Sequence, residues 1–300
     1  METDREFSSG HVALLGRPNV GKSTLMNALV GEKLSIVTAK PHTTRHRILG
    51  VMNRPEGQAA FIDTPGYSRD SGRVMHRLMA RVLRQTLEDA DLVVLVTEAN
   101  RPLDSDGELI TEVVASGRPA ILVLNKIDRL KSRADLLPRI EALREHPFLE
   151  FVPVSASKGN NIEGLERAIL LHLPAGPAHY PEDFRTDKSE SFRASEIIRE
   201  KLMNCLHQEI PYGIAVEIES MGRGEDDLLR IRALIWIERE SQKAIVIGKD
   251  GQVLKRVGRE ARLELNELFG ERVHLALWVK LREHWSDNAE ELKRLGLDIV

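Results

Sequence analysis

The sequence predicts an α/β domain, a mostly parallel sheet flanked by helices, followed by a smaller α+β domain. Three observations carry that prediction. Gly16-Arg17-Pro18-Asn19-Val20-Gly21-Lys22-Ser23-Thr24 has the phosphate-loop spacing G-x-x-x-x-G-K-[ST], set between the apolar run His11 to Leu15 and the helical pattern Leu25 to Val30. Strand and helix patterns then alternate as far as Leu171. Beyond Leu173 to Pro181, which holds three prolines and a glycine and reads as a linker, the order becomes α-β-β-α-α-β. The expected division is residues 8–175, a linker at 176–190, and residues 191–300.

The totals bound the function classes. The chain has 300 residues, 42 % of them hydrophobic and 30 % charged, enough for one or two folded domains and unlike a disordered chain. The longest apolar runs, such as Leu92 to Val96 and Ala120 to Leu124, are strand length, far below the ~20 residues of a membrane span. The charged start Met1 to Glu6 does not read as a secretory signal, and a single cysteine, Cys205, cannot form an intrachain disulfide. The cytoplasm is the expected compartment. Cys205 lies in an apolar helical pattern and is expected to pack rather than react. A formal net charge of −3 gives no global attraction to nucleic acid, so any basic surface must be local.

The phosphate loop implies a nucleoside triphosphate. Successive N–H groups can turn inward around a phosphate chain, with Gly16 and Gly21 allowing the dihedrals and close approach. Lys22 can reach the β and γ phosphates, and the Ser23 hydroxyl can meet Mg²⁺ at the positive end of the following helix. Leu34 to Thr44 reads as a loop in which a threonine, Thr44 or its rival Thr43, could ligate the metal and sense the γ-phosphate. Arg47 to Val51 and Ala59 to Ile62 predict an edge hairpin. It runs into Asp63-Thr64-Pro65-Gly66, where Asp63 could hold Mg²⁺ through water and Gly66 could offer an N–H to the γ-phosphate. Val74 to Thr86 has helical spacing, and Arg73, Arg77, Arg81 and Arg84 read as a solvated basic face.

The base is specified further on. Strand Ala120 to Leu124 ends in Asn125-Lys126-Ile127-Asp128, and an Asp carboxylate there can accept from the N1–H and exocyclic amine of guanine. Asn125 would tie loops together and the Lys126 stem would cover the purine. Strand Phe151 to Val154 ends in Ser155-Ala156-Ser157, whose N–H groups can meet the guanine O6.

Five such loops in this order resemble those of P-loop GTPases of the translation-factor-like class. The resemblance implies phosphate binding by residues 16 to 23, Mg²⁺ at Ser23 and Thr44 with Asp63 through water, a γ-phosphate side at Asp63 to Gly66, and guanine recognition by Asn125, Lys126 and Asp128. Thr24, Thr64, Pro65, Tyr67 and Ile127 lie within the same nucleotide-binding loops, and Lys22, Asn19 and Thr44 are the candidates for catalysis. Tyr67 stands where Ras-like GTPases carry the Gln that orients the attacking water, which implies slow intrinsic hydrolysis or another device. Asn19 resembles an Asn that helps bind K⁺ in several relatives, so potassium stimulation is expected.

The second domain contains Val246-Ile247-Gly248-Lys249-Asp250-Gly251. A G-x-x-G turn between two helices lets a nucleic-acid backbone approach, with Lys255 and Arg256 beside it to hold phosphates. Residues 243–262 carry six basic and two acidic side chains, whereas residues 191–300 carry 18 basic and 20 acidic. This segment resembles a type II KH domain, a single-stranded RNA binder, with Ile247, Gly248, Lys249, Asp250, Gly251, Lys255 and Arg256 as its RNA-binding residues. Trp278, Trp285 and His284 are expected to pack around the last strand and helix.

Together the two halves are similar to a bacterial family of KH-bearing GTPases. That resemblance implies binding to small-subunit ribosomal RNA near its 3′ end, assistance to assembly of the small ribosomal subunit, and peripheral association with the inner membrane in some members. A monomer is expected. A signalling GTPase whose C-terminal domain binds protein or membrane is the alternative. A tRNA-modifying GTPase is disfavoured, since no one-carbon or flavin-binding segment is seen.

Overall fold

A computed structural model describes residues 6–38, 40, 43, 46–63, 83–101, 105–206, 210–283 and 285. The chain divides into two compact units: Met1–Ser35 with Pro41–Asp187 and Ile299–Val300, and Ile36–Lys40 with Lys188–Asp298.

The first unit is built on a six-stranded sheet of β1 (Ser8–Leu15), β2 (Ile48–Arg54), β3 (Gly57–Asp63), β4 (Leu92–Glu98), β5 (Ala120–Asn125) and β6 (Glu150–Pro153) in the order β2-β3-β1-β4-β5-β6. Only β2 runs antiparallel, paired with β3 through the short turn the hairpin pattern predicts, from Ile48 opposite Asp63 to Arg54 opposite Gly57. A sheet covered on both faces needs strands that are apolar on both sides, and β3, β4 and β5 are buried along their whole length.

Helices α1 (Lys22–Val30), α2 (residues 83–89), α3 (Gly107–Ala115), α4 (Leu137–Leu143) and α5 (Ile162–His172) alternate with the strands. Leu25, Met26, Leu29 and Val30 of α1 are buried, as are Ile162, Leu165, Ala168 and Ile169 of α5, one stripe on each helix. The chain passes from β1 toward β3 on one side and then to β4 on the other. The carboxyl end of β1 is therefore the switch point where α/β sheets bind ligands. Residues 176–187 stay on this unit: Gly176 N–H donates to Phe7 O at 2.9 Å and Val51 N–H to Arg185 O at 2.8 Å.

The second unit has the order α6 (Glu190–Cys205), β7 (Ile214–Arg223), β8 (Leu229–Ile237), α7 (Glu240–Ile247), α8 (Gln252–Phe269) and β9 (Val273–Leu281). β8 is antiparallel to β7 and parallel to β9. The helices share a core with the sheet through Ile198, Leu202, Ile231, Ile235, Val257, Ala261 and Leu265. Cys205 is half-buried at the edge of that core, and burial pushes its thiol above its usual range.

One packing expectation is corrected. Trp285 is buried against Ala215 and Trp236, but Trp278 is 55 % exposed. Val273, Leu275, Leu277 and Val279 turn inward from β9, so strand alternation sends Trp278 out. His284 lies outside the described residues.

Candidate nucleotide and RNA sites

The phosphate loop leaves β1 at the switch point and enters α1 at Lys22, with Gly21 at φ +100°. A Cβ on Gly21 would collide with Nδ2 of Asn125, so only glycine fits this close crossing of two loops. Asn19 also has positive φ, at +64°. The Lys22 Nζ donates to the Gly16 and Arg17 carbonyls at 3.0 and 3.1 Å, folded back along the concave side of the loop. Arg17 reaches the other way and donates to the Ser105 carbonyl.

Ser23 and Asp63 meet beside the loop. The Ser23 hydroxyl donates to Asp63 Oδ2 at 3.0 Å, and Ser35 adds a second donor at 3.2 Å. Asp63 Oδ1 is buried and accepts no hydrogen bond from the described residues. The Ser23 hydroxyl and a carboxylate with one buried oxygen left to accept are hard donors of the kind Mg²⁺ takes, and the residues fit that ion. Burial lowers the Lys22 ammonium to about 8, with Asp63 pulling it back up; burial likewise raises the Asp63 carboxyl, opposed by Lys22 and the two hydroxyls. Ser35 itself is placed by Asn27 of α1, whose Oδ1 accepts from Ser35 N–H at 3.0 Å and whose Nδ2 donates to Ser35 O at 2.7 Å.

The Asn125 to Asp128 loop is knotted into both neighbours. Asn125 is buried; its Nδ2 donates to Val20 O of the phosphate loop at 2.8 Å, and its Oδ1 accepts from the N–H groups of Lys126 at 2.8 Å and Ala156 at 3.0 Å. Lys126 sits at φ +63°, and its Nζ donates to Asn19 O at 2.5 Å. The Ser155 hydroxyl donates to Asp128 Oδ1 at 2.5 Å. Residues 16–23, 125–128 and 155–157 thus form one continuous cradle with Asp63 at one end. Thr44 and the run Thr64-Pro65-Gly66-Tyr67 lie outside the described residues, as do Arg73, Arg77 and Arg81. Thr43 is described, in a loop.

Sequence reasoning passed over three supporting side chains, Asn27, Ser35 and Glu98, none of which belongs to a fixed-spacing motif, and it read Ser155 for its backbone N–H without the role of its hydroxyl on Asp128.

In the second unit, α7 and α8 flank the turn Gly248-Lys249-Asp250-Gly251. Gly248 has φ +75°, and a Cβ there would lie 2.9 Å from the Val253 backbone nitrogen. Asp250 follows at φ +53°, its carbonyl accepting from Lys255 Nζ at 3.2 Å. Ile247 is half-buried, while Lys249, Lys255, Arg256, Arg259 and Arg262 are exposed on the turn and one side of α8. Arg256 is engaged by Glu260 at 2.8 Å. The turn presents close backbone, and the local basic excess is at its edge.

Fold and site together define a P-loop GTPase carrying a KH domain. Residues 11–126 match the family described as 50S ribosome-binding GTPase, and residues 209–286 match the KH domain family. The chain belongs to the GTPase Era family: it is 43 % identical to GTPase Era of Glaesserella parasuis over 98 % of each chain, and 48 % identical to that of Stenotrophomonas maltophilia over 96 % of this chain and 97 % of the relative. Among solved structures, an Era variant from Aquifex aeolicus bound to GDP and aluminium fluoride superposes with TM-score 0.90 at 40 % identity, covering 97 % of this chain and 99 % of that one. A second, Era in complex with MgGDPNP and nucleotides 1506–1542 of 16S ribosomal RNA, gives TM-score 0.89 at the same identity and coverage.

Proposed function

We propose that the protein is a GTP-hydrolysing switch that binds small-subunit ribosomal RNA near its 3′ end and assists assembly of that subunit. The observation that carries this reading is that Asn125 ties the phosphate loop at Val20 to the loop at Ala156 while Ser155 bonds Asp128, in a chain that also holds a G-x-x-G turn with a basic edge. The relative solved with 16S ribosomal RNA supports the choice of RNA.

In this reading Lys22 and the loop N–H groups hold the phosphates and stabilise charge on the transferring phosphoryl group while water attacks. Ser23 and Asp63 would hold Mg²⁺, Asp63 through water, with Thr44 as the further expected ligand. Asp128, its carboxylate oriented by the Ser155 hydroxyl, accepts from the guanine N1–H and amine; the N–H groups of residues 155–157 meet O6. Asn19 supports K⁺. Gly248 to Gly251, with Lys255 and Arg256, holds the RNA backbone. We extend the proposal to peripheral contact with the inner face of the membrane on family likeness alone. No helix among the described residues is long and apolar enough to cross a membrane.

The test is GTP hydrolysis in potassium and in sodium, with and without an RNA of the small-subunit 3′ end, for wild type and Gly248→Asp. Potassium is expected to raise the rate, and RNA to raise it further in the wild type only. Hydrolysis indifferent to RNA, or normal RNA binding by the variant, overturns the coupling.

A further inference from the structure

Glu98 ends β4, directly opposite Asn125 in the parallel β4–β5 register, and its side chain is only 9 % exposed. A buried carboxylate needs compensation, and three cations surround this one. Lys126 Nζ lies 3.0 Å from Oε2, Arg129 Nη1 3.2 Å from Oε1, and Arg101 Nη2 3.9 Å from Oε2. The three differ in kind. The Arg129 and Arg101 side chains are 57 % and 37 % exposed and keep water as an alternative partner, whereas Lys126 is 18 % exposed and turned inward.

Lys126 is the residue with something to lose. Its backbone is left-handed, a conformation that a long side chain adopts only when its surroundings impose it. Its ammonium bridges Glu98 Oε2 and the carbonyl of Asn19, at the tip of the phosphate loop. One ammonium therefore joins the Glu98 carboxylate to the Asn19 carbonyl of the phosphate loop. With Glu98 neutral, the ammonium would share its surroundings with two guanidinium groups and no anion among the described residues in contact with all three.

We propose that Glu98 is a positioning residue for guanine-nucleotide binding, clamping the Lys126 ammonium against Asn19 O so that the lysine stem is a fixed plate over the purine. This rests on the reading of residues 125–128 as the base site. The contacts that hold the plate lie within the protein itself, and the clamp is expected to act on how long nucleotide stays rather than on how fast it enters.

The experiment measures release of a fluorescent GDP analogue from the full chain, for wild type, Glu98→Gln, Lys126→Met and the double variant, with melting temperatures alongside. Removing a charge-assisted bond predicts release roughly tenfold faster in Glu98→Gln, with association changed by less than about twofold. The double variant is expected to release no faster than Lys126→Met, because Glu98 acts through that ammonium. Glu98→Asp, which keeps the charge, is expected to restore most of the retention and covers the case in which Glu98→Gln fails to fold. Release at the wild-type rate in Glu98→Gln, or an effect of the same size on top of Lys126→Met, overturns the clamp. A wild type that binds ADP as tightly as GDP instead overturns the base-site reading and the clamp with it.

Discussion

The Ser155 hydroxyl donates to Asp128 Oδ1 at 2.5 Å, so the carboxylate assigned to guanine is held by a side chain 27 residues away in the sequence. Ser155 is itself fully buried and pinned by its own loop, its N–H donating to Asn160 O at 3.1 Å. Ser155→Ala is expected to leave the fold intact and to free the Asp128 carboxylate to rotate. Loss of one such bond predicts GDP binding weakened about five- to tenfold with little change for ADP, read by competition titration of the two nucleotides.

Asn125 carries three hydrogen bonds that join three loops. Asn125→Ala leaves a carbonyl and two N–H groups without those partners in a buried place. At about 1 kcal/mol for each bond the variant should lose about 3 kcal/mol, or roughly 6 to 12 °C in melting temperature. Calorimetry of the nucleotide-free protein checks it, and a melting point within a degree or two of wild type would refute the tie.

Lys22 gives a pH dependence with a definite sign. Its ammonium is lowered by burial to about 8 from 10.5, so between these values the unfolded chain binds a proton that the folded chain does not. The nucleotide-free protein should therefore gain stability from this group as pH rises from about 8 toward 10.5. A bound polyphosphate favours the charged ammonium, so nucleotide binding should take up a proton and weaken as pH rises through about 8. Titration calorimetry at pH 8.5 in buffers of different ionisation enthalpy measures that uptake, and Lys22→Met should abolish it.

Lys249 lies in the G-x-x-G turn and Lys255 just beyond it, and both are exposed. If each meets one phosphate, Lys249→Ala with Lys255→Ala should lower the slope of log affinity against log salt by about 1.4, at ~0.7 per contact with single strands. Fluorescence anisotropy with a single-stranded RNA at several salt concentrations reads the slope. An unchanged slope would place the RNA elsewhere.

Much of the candidate nucleotide site is legible in the sequence because it depends on backbone geometry at fixed spacing. Gly16 to Thr24, Asn125 to Asp128 and Ser155 to Ser157 each lie at the carboxyl end of a strand, so pattern and position agree. What stays hidden are side chains whose partners are distant in sequence. Glu98 meets Lys126 and Arg129, and Ser35 meets Asp63, only once the sheet order brings their loops together. Trp278 is a different failure: an aromatic in an apolar run invites burial, yet the alternation of Val273, Leu275, Leu277 and Val279 already turns it outward.

Because β9 lies parallel to β8, the chain must travel the length of the small sheet and return before it can add that strand. The return path is α7, the G-x-x-G turn and α8, so the stretch assigned to RNA is also the only covalent route by which the third strand reaches its neighbour. Shortening it would strand β9 altogether. The exposed turn at residues 224–228, which merely reverses an antiparallel pair, is where this unit can be lengthened, labelled or cut open without severing its architecture.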